Sequence, residues 1–191
     1  GSVTVSHLRF GPERFEAPYL VHKADFVACH QFGFLDRYDV VEHAREGATL
    51  LLNAPFPPER VWDELPAEVQ QAILAKKLAV HAIDAAAVAK EAGVGNRINT
   101  IMQACYFALA GVMPREQAIG AIKDAIAKSY DKKGEEIVRR NFAAVDAALS
   151  HLFPVVLPGR ATTARHRPPT VAAAAPDFVQ RVTAAMIAGK G

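Results

Sequence analysis

The sequence is poor in cysteine, because Cys29 and Cys105 are the only two thiols among its 191 residues. Two cysteines exclude a disulfide framework, and they exclude a zinc or iron–sulfur site built on four thiolates of this chain. Both lie in apolar surroundings, which predicts reduced, buried thiols in a cytosolic protein. The seven histidines are scattered, without ligand spacing on a shared face, so we expect no metal site.

A strong net charge and a long apolar run are also lacking. The 22 basic and 20 acidic residues leave a net charge of +2, which argues against a nucleic-acid-binding protein. No apolar run approaches the roughly 20 residues of a membrane span, and the first residues do not resemble a signal peptide. We therefore expect a cytoplasmic protein that binds neither nucleic acid nor a membrane. The chain begins without methionine, which suggests a piece of a longer polypeptide.

Apolar and amphipathic segments alternate through the first half of the chain. Strands are predicted at 3–10, 25–29, 48–56 and 78–85. Helices are predicted at 34–47, at 59–77 with a break near Pro66, and at 85–93. This alternation is typical of an α/β fold with a mostly parallel sheet flanked by helices. Ligands of such folds bind beyond the carboxyl ends of the strands, which here means near Cys29, His30, Asn53 and Asp84.

Only helices are predicted after the last of these strands. They cover 97–113, 114–130 and 134–152, and the first of them is apolar enough to pack against the sheet or another subunit. The composition changes at Pro154, where a Pro-, Ala- and Arg-rich stretch without periodicity begins. We divide the chain into an α/β domain (1–153), a linker that is extended and only weakly ordered on its own (154–176), and the start of a following domain (177–191). A short helix in the last part should end at Gly189.

The adjacent Cys29 and His30 do not predict a catalytic dyad, because neighbouring side chains on a strand point to opposite faces. Cys29 is interpreted as a core thiol, and His30, just outside the strand, as at most a residue lining the crevice.

Two arginines are candidates for binding an anion. Gly95 and Asn96 precede a long helix, so backbone amides and Arg97 could meet an anion there, although an ordinary capping turn explains the same residues. Arg9 lies on a predicted half-buried strand, where a structural salt bridge is the simpler interpretation. The residues taken alone therefore predict an α/β domain without a self-sufficient active site.

Several long, ordered blocks resemble one known family. They are "SHLRFGP", "ADFVACHQFGFLDRYDV", "LLNAPF", "VWDELP", "RINTIMQACYFALAGVMPREQAI" and "YDKKGEEIVRRNFAAVDAAL". Together they resemble the gamma-type domain of the pyruvate:ferredoxin (flavodoxin) oxidoreductases, from about residue 3 to 152. The tail "FVQRVTAAMIAGKG" resembles the start of the segment that follows the linker in that family.

The resemblance implies a part of a large cytoplasmic, homodimeric enzyme. Such an enzyme converts pyruvate and coenzyme A to acetyl-CoA and CO2, and it passes electrons singly to ferredoxin or flavodoxin. Thiamine diphosphate with Mg²⁺ and [4Fe–4S] clusters carry this chemistry in the family. The motifs that bind them are missing here, so the chain alone should be inactive. The family domain also begins upstream with a glycine-rich strand–turn unit, which this chain lacks.

The implied role of the domain is to pack beside the thiamine site and to help enclose coenzyme A. From their positions at strand ends and helix starts, and not by transfer from the family, the candidate coenzyme A-facing residues are Arg9, His30, Asn53, Arg97 and Asn99. The alternative is a stand-alone protein-interaction module that recruits a partner through the basic linker and the apolar helix 98–113.

Overall fold

An open four-stranded sheet forms the centre of the computed structural model, which describes residues 3–11, 16, 19–131 and 134–188. Its strands are β1 (Ala24–Cys29), β2 (Ala44–Asn53), β3 (Ala79–Ile83) and β4 (Phe153–Pro154). They lie side by side in chain order; β1, β2 and β3 are parallel, and β4 pairs antiparallel with β3. The predicted α/β fold with a mostly parallel sheet is confirmed.

Helices connect the strands and make up most of the second half, as predicted. They are a 3-10 helix (Phe32–Asp36), α1 (Pro58–Val61), α2 (Ala67–Ala75), α3 (Ala85–Glu91), α4 (Ile98–Ala110), α5 (Arg115–Tyr130), α6 (Glu135–His151), a π-helical turn (Val179–Thr183) and α7 (Ala184–Ile187). The predicted helix end at Gly189 lies outside the described residues. Among the described helices, none has the length and apolar character needed to cross a bilayer.

The sheet is covered on both faces, which explains the continuous apolar run of β2. Leu50 and Leu52 point into a core shared with α1 and α2, whereas Leu51 points into a second core shared with α3, α4 and α6. All three side chains are fully buried. Because both faces are buried, β2 shows no polar alternation over these residues, as expected for a covered parallel strand. Helix α4 packs against the sheet of its own chain.

The predicted strand at 3–10 is wrong: this segment has no regular secondary structure. A strand needs a neighbour to accept its backbone hydrogen bonds, and the segment pairs with none of the four strands. Val5 and Leu8 are therefore exposed, while Phe10 packs against the rings of Tyr106 and Phe107 on α4.

The predicted helix at 34–47 is also wrong. The 3-10 helix Phe32–Asp36 and a series of turns take its place, and β2 begins already at Ala44. The spacing of Leu35, Tyr38 and Val41 favours a helix, but Leu35 and Val41 are buried anchors of this short connection. Gly47 does not end a helix; it lies within β2 at φ 75°, near a register shift against β1, in a left-handed conformation that favours glycine.

The stretch predicted as a weakly ordered linker is attached to the domain. Phe153 and Pro154 form β4, and Val155 donates a backbone hydrogen bond to Val80 at 2.9 Å. Further along, the carbonyl of Arg165 accepts from the backbone of Ala67 at 2.8 Å. These backbone contacts join residues that lie far apart in the sequence, which local composition does not reveal. The division into domains at 153 and 176 stays a prediction.

Candidate functional site at the carboxyl end of the sheet

The Asn53 side chain lies at the edge of the sheet where the parallel strands end, here called the rim, and joins neighbouring elements there. Its Nδ2 donates to the carbonyl of His30, after β1, at 2.9 Å. Its Oδ1 accepts from the backbone of Ala85, at the start of α3, at 3.0 Å. Asp84 caps the same helix by accepting from the backbone of Ala87 at 2.9 Å. Asn53 thus links the ends of β1 and β2 to the beginning of α3. Both the donor and the acceptor of its amide group are used in these internal hydrogen bonds.

His30 lies on this rim with an exposed side chain. Desolvation by the surrounding protein nevertheless lowers the pKa of the imidazole below its ordinary value of 6.5. The ring is therefore mostly neutral at pH 7. It can exchange a hydrogen bond with a ligand, but it adds little positive charge for a phosphate.

Cys29 is a core thiol, as predicted. It is buried, and its Sγ donates to the carbonyl of Gln31 at 3.1 Å. Burial raises its pKa to about 11, outweighing the opposing effect of that hydrogen bond. Burial likewise raises the pKa of Cys105 to about 12. Since the thiolate is the nucleophile, neither cysteine is prepared for covalent catalysis at neutral pH.

Arg9 belongs to the N-terminal segment without regular structure. Its guanidinium donates to the carbonyl of Tyr19 at 2.6 Å and lies over the Tyr19 ring, 4.9 Å from the centroid. These contacts fix the N-terminal segment to the chain that leads into β1.

Arg97 and Asn99 are exposed at the start of α4. Gly95, at φ 68°, provides the turn before them. The Arg97 guanidinium lies over the ring of Tyr130, the last residue of α5, at 5.3 Å from its centroid. The structure therefore joins His30 and Asn53 on the rim and sets Arg97 and Asn99 on a separate element.

Gln70 is a polar residue that the sequence reasoning missed. It is fully buried on α2, and its Nε2 donates to the carbonyl of Trp62 at 2.6 Å. Its Oε1 accepts from the backbone of Thr162 at 2.8 Å and of Thr163 at 3.2 Å. The signal was available: a glutamine at a buried helical position needs partners, and helix neighbours cannot supply all of them.

The protein has an open, mostly parallel sheet that is covered on both faces, and Asn53 joins the strand ends at the rim. These features define the α/β class of folds, whose ligands bind beyond the carboxyl ends of the strands. A family model described as "Pyruvate ferredoxin/flavodoxin oxidoreductase" matches residues 1–151. The chain belongs to this family.

Relatives resemble the chain over its whole length. Pyruvate-flavodoxin oxidoreductase of Rhodospirillum rubrum is 56% identical over 191 residues, and the pyruvate:ferredoxin oxidoreductase of Moorella thermoacetica is 41% identical over 191 residues. In both cases the alignment covers 100% of this chain but 16% of the relative. The chain therefore spans about one sixth of the length of these proteins.

A solved structure shares the fold. The pyruvate oxidoreductase subunit PORC of Thermotoga maritima superimposes with a TM-score of 0.54 at 21% sequence identity. The superposition covers 70% of this chain and 66% of that one.

Proposed function

We propose that this chain is the gamma-type domain of a pyruvate:ferredoxin (flavodoxin) oxidoreductase, and that it encloses a reaction centre without carrying the redox chemistry. The observation behind this proposal is the alignment of all 191 residues, at 56% identity, with one sixth of a pyruvate-flavodoxin oxidoreductase. The intact enzyme would be a cytoplasmic homodimer. It would convert pyruvate and coenzyme A to acetyl-CoA and CO2 and pass the released electrons to ferredoxin or flavodoxin.

The cofactors of this reaction do not fit the residues present. A [4Fe–4S] cluster needs several thiolates together, whereas Cys29 and Cys105 are buried in separate cores on opposite faces of the sheet. Within the described ranges, no group of three or more His, Cys, Asp and Glu side chains is placed to hold a metal ion. In the proposed enzyme, thiamine diphosphate with its Mg²⁺ and the clusters are therefore bound by other parts of the polypeptide.

The domain would contribute to the coenzyme A site through groups that recognise phosphate. Arg97 and Asn99 are exposed at a helix start, where cations and free amides favour anions. His30 lies on the rim as a neutral hydrogen-bonding group. Asn53, whose amide is already bonded at both ends, would position His30, and Arg9 would hold the N-terminal segment in place.

The stand-alone interaction module has less support. Helix α4 packs against the sheet and the neighbouring helices instead of presenting a free apolar face. Three basic residues of the predicted linker, Arg165, His166 and Arg167, contact carboxylates of the same chain, as with Arg165 and Asp36 at 2.5 Å.

Activity measurements on two proteins test the proposal. We expect the intact polypeptide that contains this chain to reduce flavodoxin, ferredoxin or methyl viologen with pyruvate, in a reaction that needs coenzyme A. The 191-residue chain alone should show no turnover above background, because the cofactor ligands are missing. Turnover by the chain alone, or an intact polypeptide that does not oxidise pyruvate, would refute the assignment.

A further inference from the structure

Residues 160–167, here called the strap, contact α2 and the turn 62–64 between α1 and α2 through backbone and side-chain groups. The buried Gln70 accepts from the backbones of Thr162 and Thr163 at 2.8 and 3.2 Å. The indole of Trp62 donates to the Thr162 hydroxyl at 2.9 Å. This side-chain amide accepts hydrogen bonds from two consecutive backbone N–H groups, which is how peptide-binding grooves recognise an extended segment.

Arg165 connects three pieces of the domain. Its Nη1 contacts Asp36 at 2.5 Å, and its Nη2 donates to the carbonyl of Glu64. Its own carbonyl accepts from Ala67 at the start of α2 at 2.8 Å. Because a guanidinium offers a rigid fork of donors, one side chain can fix two elements relative to each other.

The next two strap residues extend this pattern. Arg167 donates from Nε to the carbonyl of Leu35 at 2.8 Å, and its guanidinium lies 3.6 Å from Asp39. Glu68 binds His166 Nδ1 at 2.8 Å through one oxygen and the backbone of Arg167 at 3.2 Å through the other. Three consecutive basic residues of the strap thus face carboxylates of the domain, in the pairs Arg165–Asp36, His166–Glu68 and Arg167–Asp39.

Arg165 and Arg167 hold the turn 32–39, which leads away from the candidate site. Residues 32–39 begin just after His30, and Leu35 anchors them in the core. Phe32 packs edge-on against Phe56, with ring centroids 5.1 Å apart. A movement of this turn would therefore act on both sides of the rim, where β1 and β2 end.

We infer that the docking of the strap on the acidic surface of residues 62–64, α2 and the turn 32–39 positions the rim at His30, with Arg165 and Arg167 as the positioning residues. The docked strap fixes the path of the chain that continues towards residue 177. It also links that continuation mechanically to the carboxyl end of the sheet. The inference does not depend on the proposed enzymatic role.

Hydrogen–deuterium exchange of the full chain tests this with Arg165→Ala and Arg167→Ala. We expect amides of the strap and amides of residues 32–39 to exchange at least about tenfold faster, since each variant loses charge-assisted hydrogen bonds to both. Amides of α5, which packs into the core on the other face of the sheet from α2, should keep their protection. The matched control is Arg160→Ala, an exposed arginine at the beginning of the strap, which should leave the exchange unchanged.

A charge exchange separates docking from general destabilisation. Arg165→Asp should open the strap and the turn, and adding Asp36→Arg should restore much of the lost protection in both. Faster exchange confined to the strap would overturn the positioning role. Exchange that rises equally in α5 and is not restored by the exchanged pair, or that does not rise at all, would overturn the docking site.

Discussion

Asn53 shows how one side chain can define the geometry of a strand-end rim. Its amide NH₂ donates to the carbonyl of His30 and its amide oxygen accepts from the backbone of Ala85, so both groups are already used within the fold. A buried or half-buried polar group that loses its partner costs about 1–3 kcal/mol. The residue therefore belongs to the framework of the site, and its effect on ligands is indirect.

We predict that Asn53→Ala lowers the free energy of unfolding by about 2 kcal/mol, because the Ala85 N–H and the His30 carbonyl lose their partners. Denaturant unfolding monitored by circular dichroism would measure this. Asn99→Ala, at an exposed position in the first turn of α4, is the matched control and should stay within about 0.5 kcal/mol of the unaltered chain. Equal effects of the two substitutions would contradict the role given to Asn53.

The two cysteines should be unreactive in the folded chain. Burial raises their pKa values to about 11 and about 12, so at pH 8 the thiolate fraction is negligible. We expect alkylation by iodoacetamide at pH 8 to be slow in the native state and complete in denaturant. Rapid native labelling of Cys29 would contradict its place in the core.

The same pKa values imply a loss of stability at high pH. Well below pH 9 the thiols are protonated in both the folded and the unfolded chain, so their ionisation does not change the free energy of unfolding. Above pH 9 the unfolded chain releases these protons first, and the free energy of unfolding falls as the pH rises towards 11.

At the scale of elements, the sequence predicted what depends on local pattern. The strands β1, β2 and β3 and the helices α2 to α6 follow from apolar runs and helical periodicity close to their observed positions. A helix is predicted at 34–47 because Leu35, Tyr38 and Val41 recur every three residues, as on one face of a helix, whereas in the structure Leu35 and Val41 anchor a short connection. Arg165 and Arg167 hold that connection through contacts with Asp36 and Leu35. Both arginines lie more than 125 residues further along the chain.

The sequence predicts only the location of the candidate site, because local pattern specifies the strand ends but not the contacts between distant side chains. Parallel topology places the ends of β1 and β2 together, so the neighbourhood of His30 and Asn53 could be inferred from the strands. The pairing of their particular atoms could not. Arg97 was chosen from a helix start, and its contact with Tyr130 depends on how α4 and α5 pack, which no local signal specifies.

At the scale of the whole molecule, the chain belongs to the pyruvate ferredoxin/flavodoxin oxidoreductase family and spans about one sixth of the length of its relatives. Both faces of its sheet are covered, and the strap is bound to α2 and to the turn 32–39. Within the described residues, nothing provides the ligands of an iron–sulfur cluster. These features suit a part that shapes a reaction centre from outside.

Steady-state kinetics of the intact polypeptide carrying Arg97→Ala test the enclosing role most directly. Arg97 supplies charge to the phosphates of coenzyme A in our proposal, so its loss should raise the KM for coenzyme A about tenfold, the effect of one charge-assisted hydrogen bond. The kcat and the KM for pyruvate should stay unchanged, and Arg160→Ala should leave all three values unchanged. An unaltered KM for coenzyme A, or a fall in kcat alone, would contradict the account.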